Sequence, residues 1–317
     1  DVGYSSFLTS SHLAICLVCV SPIITALSGQ PVLCAACHGS NALPGTGQEG
    51  IAPLTEVLHS SHGKVLDPSN LLELDASTNR TACYMCHPGS QTKCLRGAMG
   101  GAVDAKGDSL MSCQSCHGSM SLVGSHGRTG WLDEPNCQSC HFNGQREVSV
   151  FDASGALRKV LDTRFATNPD TPKSGFSLFR FSSGHGGLQC EACHGSTHAI
   201  YPSIEANDNV LSSSLQGHVG TISECVSCHQ TVPFTANKGP HGMHSTNQQW
   251  VGSHGDYAEH NGAQSCAYCH GSDYRGSFLS TVKINKSFSA EHMTVSFKAG
   301  DKVSCYSCHN GPGGGDD

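Results

Sequence analysis

Eight segments of the form Cys-x-x-Cys-His recur along the chain. Two thiols three positions apart can add to the two vinyl groups of one porphyrin, and the histidine that follows can bind its iron, so each segment is typical of a c-type haem attachment site. The cysteines are Cys34, Cys37, Cys83, Cys86, Cys113, Cys116, Cys137, Cys140, Cys190, Cys193, Cys225, Cys228, Cys266, Cys269, Cys305 and Cys308. The histidines, in the same order, are His38, His87, His117, His141, His194, His229, His270 and His309. The sequence therefore predicts eight covalently bound haem c groups.

Zinc is the main alternative, because Cys-x-x-Cys also begins many zinc ribbons. A ribbon uses two cysteine pairs for one metal ion and does not need a histidine after every pair. Here a histidine follows each of the eight pairs, which favours haem over zinc and over a redox-active dithiol. A further pair, Cys16 and Cys19, is followed by Val20, so we do not count it as a ninth haem site.

The second axial ligand decides what each iron can do. Two histidines saturate the iron and make an electron carrier, whereas an open position permits substrate binding. Of the 20 histidines, twelve lie outside the eight motifs, enough for a second ligand at every iron. Six of the twelve have small neighbours that would let the backbone approach a porphyrin face: His62, His126, His185, His218, His241 and His254.

Three more histidines complete the predicted ligand set, namely His198, His244 and His292. His185 and His218 lie a short way upstream of a motif, and His198 follows His194 by four residues, so it could reach a neighbouring haem. The remaining His12, His59 and His260 are less favoured. Because nine names serve eight irons, at least one of the nine has another role or binds in an adjacent subunit.

The composition predicts a fold with little regular structure. Only 37% of residues are hydrophobic and 6% aromatic, while 37 of the 317 are glycine. A chain of this length normally buries a large apolar interior, so the porphyrins must supply much of the missing apolar mass. We expect a mostly irregular multihaem cytochrome c, with short helices around the motifs, a few β-hairpins and a core of stacked haems.

The motif spacing suggests how the chain is divided. The irregular intervals argue against equal tandem repeats, and the longest one separates His141 from Cys190. We expect an apolar arm at 1–33, a four-haem half at 34–146, a haem-free connection at 147–184, and a second four-haem half at 185–317 that ends in a mobile glycine-rich tail. Alternating residues predict one hairpin at 147–160 and another at 294–303, and residues 167–173 read as a loop.

The first 33 residues are unusually apolar. Residues 13–26 resemble the hydrophobic part of a signal peptide, but no Lys or Arg precedes Lys64. The stretch is too short to span a membrane, and Pro22 interrupts it. We favour an apolar arm that packs against another surface, such as a neighbouring subunit, over a signal-peptide remnant. Cys94 lies outside the motifs and could form a disulfide with Cys16 or Cys19.

The charge balance limits the partners. The formal net charge is −7, and eight bis-histidine ferric haems with their propionates would bring the total to about −15. Nucleic acid is therefore excluded as an expected partner, whereas cations, metal ions and basic redox proteins remain. Haem is attached to such motifs outside the cytoplasm, so we expect the chain to be exported.

Three segments carry a family resemblance: residues 185–199, 239–244 and 269–276. With the eight motifs, they resemble the extracellular multihaem c-type cytochromes of metal-reducing bacteria, some of which polymerise into cytochrome nanowires. The resemblance implies extracellular electron transfer by an electron-transfer protein rather than an enzyme, at the cell surface after export through the periplasm. It also implies redox partner cytochromes and metal or mineral acceptors. Together with the apolar arm, which favours assembly, it leads us to expect a head-to-tail homopolymer.

Two other functions stay open at this point. The chain could be a monomeric periplasmic or secreted electron shuttle. It also resembles the octahaem reductases of nitrogen and sulfur compounds in haem number, but several of those use a Cys-x-x-Cys-Lys motif at the active haem, and none occurs here.

Overall fold

The computed structural model describes residues 27–29, 33–41, 43–87, 94–126, 137–141, 154, 184–236, 238–290 and 292–312. Several predictions lie outside these residues and stay predictions. They concern His12, most of the apolar arm, the hairpin at 147–160 apart from Ser154, the loop at 167–173, the end of the glycine-rich tail, and the pairing of Cys94 with Cys16 or Cys19.

Most helices in the described residues have one or two turns. The α-helices are α1 (Leu54–His62), α2 (Cys113–His117), α3 (Met120–Val123), α4 (Gln138–His141), α5 (Cys190–His194), α6 (Val210–Gln216), α7 (Gln248–Asn261) and α8 (Ala267–His270). Short 3₁₀ turns cover Cys34–Ala36, Ala82–Met85, His185–Gly187, Ala206–Asn209, Cys225–Ser227, Pro240–Gly242, Ala263–Cys266, Phe278–Ser280 and Cys305–Ser307. The rest of the described chain is largely turns and coil, which confirms the predicted irregular fold with helical turns at the motifs.

Helix α7 is longer than the motif helices and contains Gly252 and Gly255, which disfavour a helix interior. Its start is fixed by Asn247, whose side-chain oxygen accepts a hydrogen bond from the backbone N–H of Trp250 at 3.0 Å. Its end is fixed by Gly262, where φ is 76°. Trp250, His254 and Tyr257 then fall on one face, because residues four and seven positions apart are neighbours on a helix.

A two-stranded antiparallel sheet joins β1 (Lys286–Ala290) to β2 (Met293–Phe297). The prediction of a hairpin at 294–303 was therefore wrong in register, because β2 pairs with the preceding residues, with Lys286 opposite Phe297. The turn after β2 instead leads the chain back to Val282. The Val282 amide donates to the Asp301 carbonyl, and the Gly300 amide donates to the Val282 carbonyl, both at 2.8 Å.

The chain divides into two compact units. The first comprises Asp1–Ala82 and His117–Leu132, and the second comprises Cys83–Cys116 and Asp133–Asp317. The predicted four-haem halves were defined by where haem is attached, and these units are defined by the polypeptide. Nearly all of the predicted connection at 147–184 lies outside the described residues, so the division into halves stays a prediction.

Few apolar side chains are buried in the part of the chain that the structure describes: Leu74, Ala82, Met111, Ala199, Tyr201, Val282 and Phe297. In the first unit, the buried residues include the carboxylate of Asp67, where an apolar side chain would be expected. It accepts hydrogen bonds from the Ser69 amide at 2.9 Å, the Ser69 hydroxyl at 2.6 Å and the Asn79 side-chain amide at 3.3 Å.

Candidate haem-binding sites

Each motif forms one tight helical turn. In five of them the amide of the motif histidine donates to the carbonyl of the first cysteine, at distances between 2.8 and 3.1 Å. The motifs at Cys113 and Cys190 lie in α2 and α5. Because residues three and four positions apart share one face of a helical turn, both thiols and the imidazole lie on the same side of the turn. This is the arrangement that attachment of one porphyrin requires.

Hydrogen bonds to backbone carbonyls orient many of the histidine rings. Among the motif histidines, Nδ1 lies 2.7 Å from the Ala52 carbonyl oxygen for His38, 3.0 Å from that of Val303 for His270, and 2.9 Å from that of Gly311 for His309. A carbonyl can only accept, so Nδ1 must donate. Nε2 then keeps its lone pair, which is the form of imidazole that binds a metal.

Four motif histidines each face a second histidine across a nearly constant gap. The ring centroids are 5.9 Å apart for His185 and His229, 5.9 Å for His194 and His241, 6.1 Å for His244 and His270, and 5.9 Å for His254 and His309. Each pair joins one motif histidine to one histidine from outside the motifs.

This gap fits an iron between the rings. Metal–imidazole bonds are about 2 Å long, so two imidazoles on opposite sides of one iron have centroids about 6 Å apart. Direct stacking of two aromatic rings allows a wider range of separations, from 4.5 to 7 Å or so. Four separations within 0.2 Å of one another therefore fit axial ligation better than incidental ring contact.

At the fifth and sixth motifs, the histidine that lies near one motif in sequence faces the motif histidine of the other. His185 precedes the fifth motif by a few residues, yet its ring faces His229 of the sixth. His241 follows the sixth motif, yet its ring faces His194 of the fifth. Sequence proximity to a motif therefore does not identify the haem that a histidine faces.

His185 and His241 stand in similar loops. Gly184 donates to the Leu188 carbonyl at 2.8 Å, and Gly239 donates to the Met243 carbonyl at 3.1 Å. Two successive residues inside each loop are left-handed. They are Gly186 and Gly187 in the first case, with φ of 63° and 84°, and His241 and Gly242 in the second, with φ of 56° and 72°. The histidine is thus shifted by one position between two loops of the same shape.

The seventh and eighth motifs are joined by backbone contacts. The Nδ1 of His270 donates to Val303, two residues before Cys305, and the Cys305 amide donates to the Tyr274 carbonyl at 3.1 Å. The Arg275 guanidinium lies 4.1 Å from the centre of the Tyr306 ring, between the cysteines of the eighth motif. Orientation of the seventh motif histidine therefore depends on the segment that begins the eighth motif.

Cysteines from different motifs also lie close together. A hydrogen bond with the Cys113 thiol, together with burial, raises the pKa of the Cys83 thiol. Burial and the nearby Cys228 thiol raise the pKa of Cys193, and burial and the nearby Cys266 thiol raise the pKa of Cys305. These thiols stand where thioether bonds to haem would form. The motifs are thus brought together as second with third, fifth with sixth, and seventh with eighth.

The other histidines outside the motifs, both the predicted ligands and the less favoured His59 and His260, take varied positions. In the first unit, His62 and His59 end α1, with Nδ1 of each 2.7 Å from the carbonyl oxygen four residues earlier, and the exposed His126 ring has Nδ1 3.4 Å from the Glu56 carboxylate. In the second unit, the exposed His260 ring donates from Nδ1 to the backbone carbonyl of Asp256 at 2.7 Å. The His198 carbonyl accepts from the Arg96 amide at 2.9 Å.

His292 and His218 differ most in exposure. His292 is exposed at the turn between β1 and β2, and no motif histidine among the described residues is paired with it. His218 is only 10% exposed, and its Nδ1 lies 2.9 Å from the Val219 carbonyl oxygen. Its Nε2 is buried without a hydrogen-bond partner in the described part of the chain, 3.7 Å from Glu224. Iron ligation by all nine histidines stays a prediction, and so does the second ligand at the irons of His38, His87, His117 and His141. The nine are His62, His126, His185, His198, His218, His241, His244, His254 and His292.

Sequence reasoning missed several residues that surround the histidine pairs. Trp250 stacks on His244, with ring centroids 4.3 Å apart and 13° between the planes. The Lys286 ammonium pairs with Glu224 at 2.8 Å, directly before Cys225. Burial, with a smaller effect of the nearby His270 and His254, lowers the pKa of His244. The only sequence signal for Trp250 was its spacing of four residues from His254, which becomes informative once α7 is known.

Comparison with known proteins supports the haem interpretation. Residues 109–282 match the family of outer membrane cytochromes described as MtrC/MtrF-like, domains II/IV. The chain belongs to this family. The MtrC/MtrF-like region contains five of the eight motifs, from Cys113 to His270, and all of α7. The predicted resemblance to multihaem extracellular cytochromes of metal-reducing bacteria is thereby confirmed, and with it c-type haem binding and electron transport. No curated protein and no solved structure matches the chain. No helix in the described residues is long and apolar enough to cross a membrane.

Proposed function

We propose that the chain transfers electrons through eight covalently bound c-type haems, each held between two histidines. The four histidine pairs with centroids 5.9 to 6.1 Å apart carry this proposal. We assign His185 to the haem attached at the sixth motif, His241 to the fifth, His244 to the seventh and His254 to the eighth. The remaining irons draw on His62, His126, His198, His218 and His292.

A c-type haem bound in this way supplies a one-electron ferric/ferrous couple. The residues of the chain do the rest. The cysteines would fix each porphyrin against a helical turn, and the paired imidazoles would hold the iron and keep other ligands away from it. The carbonyls that accept from Nδ1 hold the imidazole rings in one orientation, which limits reorganisation when an electron arrives. The proximity of cysteines from neighbouring motifs supports close haem pairs.

The ligand assignment can be tested on α7, which offers a matched control. His254 and His260 lie on the same helix, and in both the Nδ1 bonds to a backbone carbonyl. We expect His254→Ala to open one iron in eight, seen as carbon monoxide binding to the reduced protein. His260→Ala should bind no more carbon monoxide than the unsubstituted protein. Equal binding by the two variants would refute the assignment.

The unsubstituted protein tests the enzyme alternative. A saturated set of irons should bind neither carbon monoxide in the reduced form nor nitrite in the oxidised form. Stoichiometric nitrite binding with a high-spin signal would instead support an octahaem reductase.

The family places related proteins at the outer membrane, and we propose that this chain likewise works at the cell surface or outside it, after export through the periplasm. Its electron donors would be redox partner cytochromes, and its acceptors extracellular metals or minerals. Mixing the fully reduced protein with a ferric oxide suspension should reoxidise the haems, measured in the visible spectrum. Reoxidation no faster than in the absence of the mineral would argue against direct mineral reduction.

We further propose that the protein is the subunit of a head-to-tail homopolymer. The support is the apolar segment at 13–26, a feature that usually marks an interface, together with the resemblance to filament-forming cytochromes. Heterologous contacts that do not close into a ring produce filaments. Electron micrographs of the purified protein should show uniform thin filaments with a helical repeat. Dispersed particles at high concentration would leave the monomeric shuttle as the function.

A further inference from the structure

The Trp250 ring contacts both of the histidines that we assign to the haems of the seventh and eighth motifs. Its ring centroid is 4.3 Å from that of His244, with 13° between the planes, and 6.3 Å from that of His254, with 41° between the planes. His244 faces His270 of the seventh motif, and His254 faces His309 of the eighth. The indole therefore contacts the second-ligand side of two neighbouring sites.

The position of the indole is itself fixed from several directions. The Trp250 amide donates to the Asn247 side chain at 3.0 Å, which sets the first turn of α7. The rings of Phe234 and Tyr257 lie against the indole, with centroids 5.6 and 5.7 Å away. Trp250 is half-buried. A side chain held by the helix start and by two further rings is a rigid surface for its neighbours.

Each of the two histidines is oriented by one hydrogen bond and by its contact with the indole. The Nδ1 of His244 lies 2.8 Å from the Ser245 carbonyl oxygen, and the Nδ1 of His254 lies 2.8 Å from that of Val251. A single hydrogen bond leaves an imidazole free to rock about it, and contact with the indole limits that motion. Neither histidine belongs to a motif, so neither is held near its iron by an adjacent thioether bond.

We propose that Trp250 is a positioning residue that orients His244 and His254 together as axial ligands of the haems attached at the seventh and eighth motifs. This inference rests on the proposed bis-histidine function and adds a residue to it. The shared indole makes the two ligand geometries interdependent. A change at this one position should therefore disturb two irons at once.

The test compares four variants of the full, haem-loaded protein. Trp250→Ala removes the indole, Trp250→Leu keeps apolar bulk without a flat face, and Trp250→Phe keeps a flat ring. Phe288→Ala is the control, because it removes an aromatic ring that packs on Phe297 in the hairpin. Two readouts serve all four: the low-spin signals of the oxidised protein by electron paramagnetic resonance, and carbon monoxide binding by the reduced protein.

We expect Trp250→Ala and Trp250→Leu to alter two low-spin signals and to let up to two of the eight haems bind carbon monoxide. Trp250→Phe should largely restore the unsubstituted behaviour, and Phe288→Ala should not depart from it. If Trp250→Ala fails to load haem, Trp250→Leu still decides the matter, because it retains the bulk but not the ring face.

Unchanged signals and no carbon monoxide binding in Trp250→Leu would overturn the positioning role. A change confined to one haem would overturn the shared role. His244→Ala and His254→Ala separate this outcome from failure of the proposed function. If those variants open one iron each while the Trp250 variants open none, only the positioning role fails; if they open none, the bis-histidine assignment fails.

Discussion

At the scale of single residues, ring orientation distinguishes the four histidine pairs more than distance does. The planes of the pairs at the fifth and sixth motifs cross at 65° and 66°, whereas those at the seventh and eighth cross at 7° and 29°. Hydrogen bonds to nearby carbonyls fix several of these rings, among them His244 and His270. The backbone around each site thus determines how its two imidazoles are turned relative to each other.

The plane angles predict two classes of ferric haem. On a low-spin iron, strongly crossed imidazole planes shift the largest g value upward, and nearly parallel planes give a rhombic spectrum. We therefore expect His241→Met to remove a signal of the first class and His244→Met to remove one of the second, in electron paramagnetic resonance spectra of the oxidised protein. Loss of the same class of signal in both variants would contradict the assigned geometry.

An ion pair in the second unit predicts a pH dependence of stability. Arg96 donates to Asp208 at 2.5 and 2.9 Å, and the Ser203 hydroxyl donates to it at 2.6 Å. These hydrogen bonds lower the pKa of Asp208 to about 2, and the bond from Arg96 has the largest effect. Because the folded pKa is depressed, the stabilisation is present above the unfolded pKa of about 3.9 and is lost as pH falls toward 2.

We expect Asp208→Asn to be less stable than the unsubstituted protein by about 1–3 kcal/mol at neutral pH, as for loss of hydrogen bonds to a charged group. The difference should shrink between about pH 4 and pH 2. Urea unfolding midpoints across this range measure it, with Asp256→Asn on the exposed side of α7 as the control. A difference that is independent of pH would rule out the carboxylate as its source.

At the scale of elements, a close backbone pairing joins the segment after the second motif to the segment after the fifth. The Arg96 amide donates to the His198 carbonyl at 2.9 Å, and the Ala98 amide donates to the Ile200 carbonyl at 3.0 Å. Between them, a Cβ atom at Gly97 would lie only 2.2 Å from the Ile200 nitrogen. Backbone atoms cannot move aside as a flexible side chain can, so only glycine fits.

Gly97→Ala should therefore force the two segments apart and destabilise the protein by about 1–3 kcal/mol, as overpacking does. Gly101→Ala is a matched control four residues away, because its Cβ would meet only ordinary contacts at 3.7 and 3.8 Å. We expect the control to stay within about 0.5 kcal/mol of the unsubstituted protein. Thermal unfolding followed by circular dichroism measures both, and equal melting temperatures would contradict the close pairing.

The sequence predicted local elements better than the contacts between them. Helical turns at the motifs follow from Cys-x-x-Cys-His itself, because attachment to one porphyrin needs all three side chains on one face. Helix α7 was not predicted, because its two glycines disfavour a helix in the sequence pattern. They outweigh the cap at Asn247 and the aromatic residues that share one face of the helix. The predicted hairpin was misplaced because apolar and polar residues alternate in Lys286–Ala290 as they do after β2. Both segments could therefore pair with β2, and only the return of the chain to Val282 decides between them.

The same limit applies to the candidate sites. The motif cysteines and histidines are evident from spacing, and His185, His241 and His254 could be proposed from their small neighbours. The exchange of His185 and His241 between two motifs could not be predicted, because it depends on how two distant loops approach each other. Trp250 could not be predicted either, because its role requires α7 and the His244 loop to be placed together.

Over the whole molecule, we expect haem to take the place of a protein core. The buried apolar residues in the described chain number only seven, and two of these, Ala82 and Ala199, are alanine. Large apolar side chains remain exposed in the polypeptide, including Val226 between the cysteines of the sixth motif at 67%. Covalent porphyrins would cover such side chains and crosslink loops that have few apolar contacts of their own, much as disulfides stabilise small domains.

Because so few apolar side chains are buried, we expect folding to depend on haem attachment. Expressed without haem attachment, the same 317-residue chain should lack a cooperative thermal transition and a fixed near-ultraviolet circular dichroism signal, because too little apolar surface is buried to offset the conformational entropy of the backbone. The haem-loaded protein, prepared in parallel, should show both, and its mass should exceed that of the polypeptide by eight haem groups. Since the motif cysteines would otherwise form disulfides, the haem-free chain must be kept reduced, with the loaded protein under the same reductant as the control. A haem-free chain that melts cooperatively would show that the polypeptide fold is self-sufficient and that haem only occupies it.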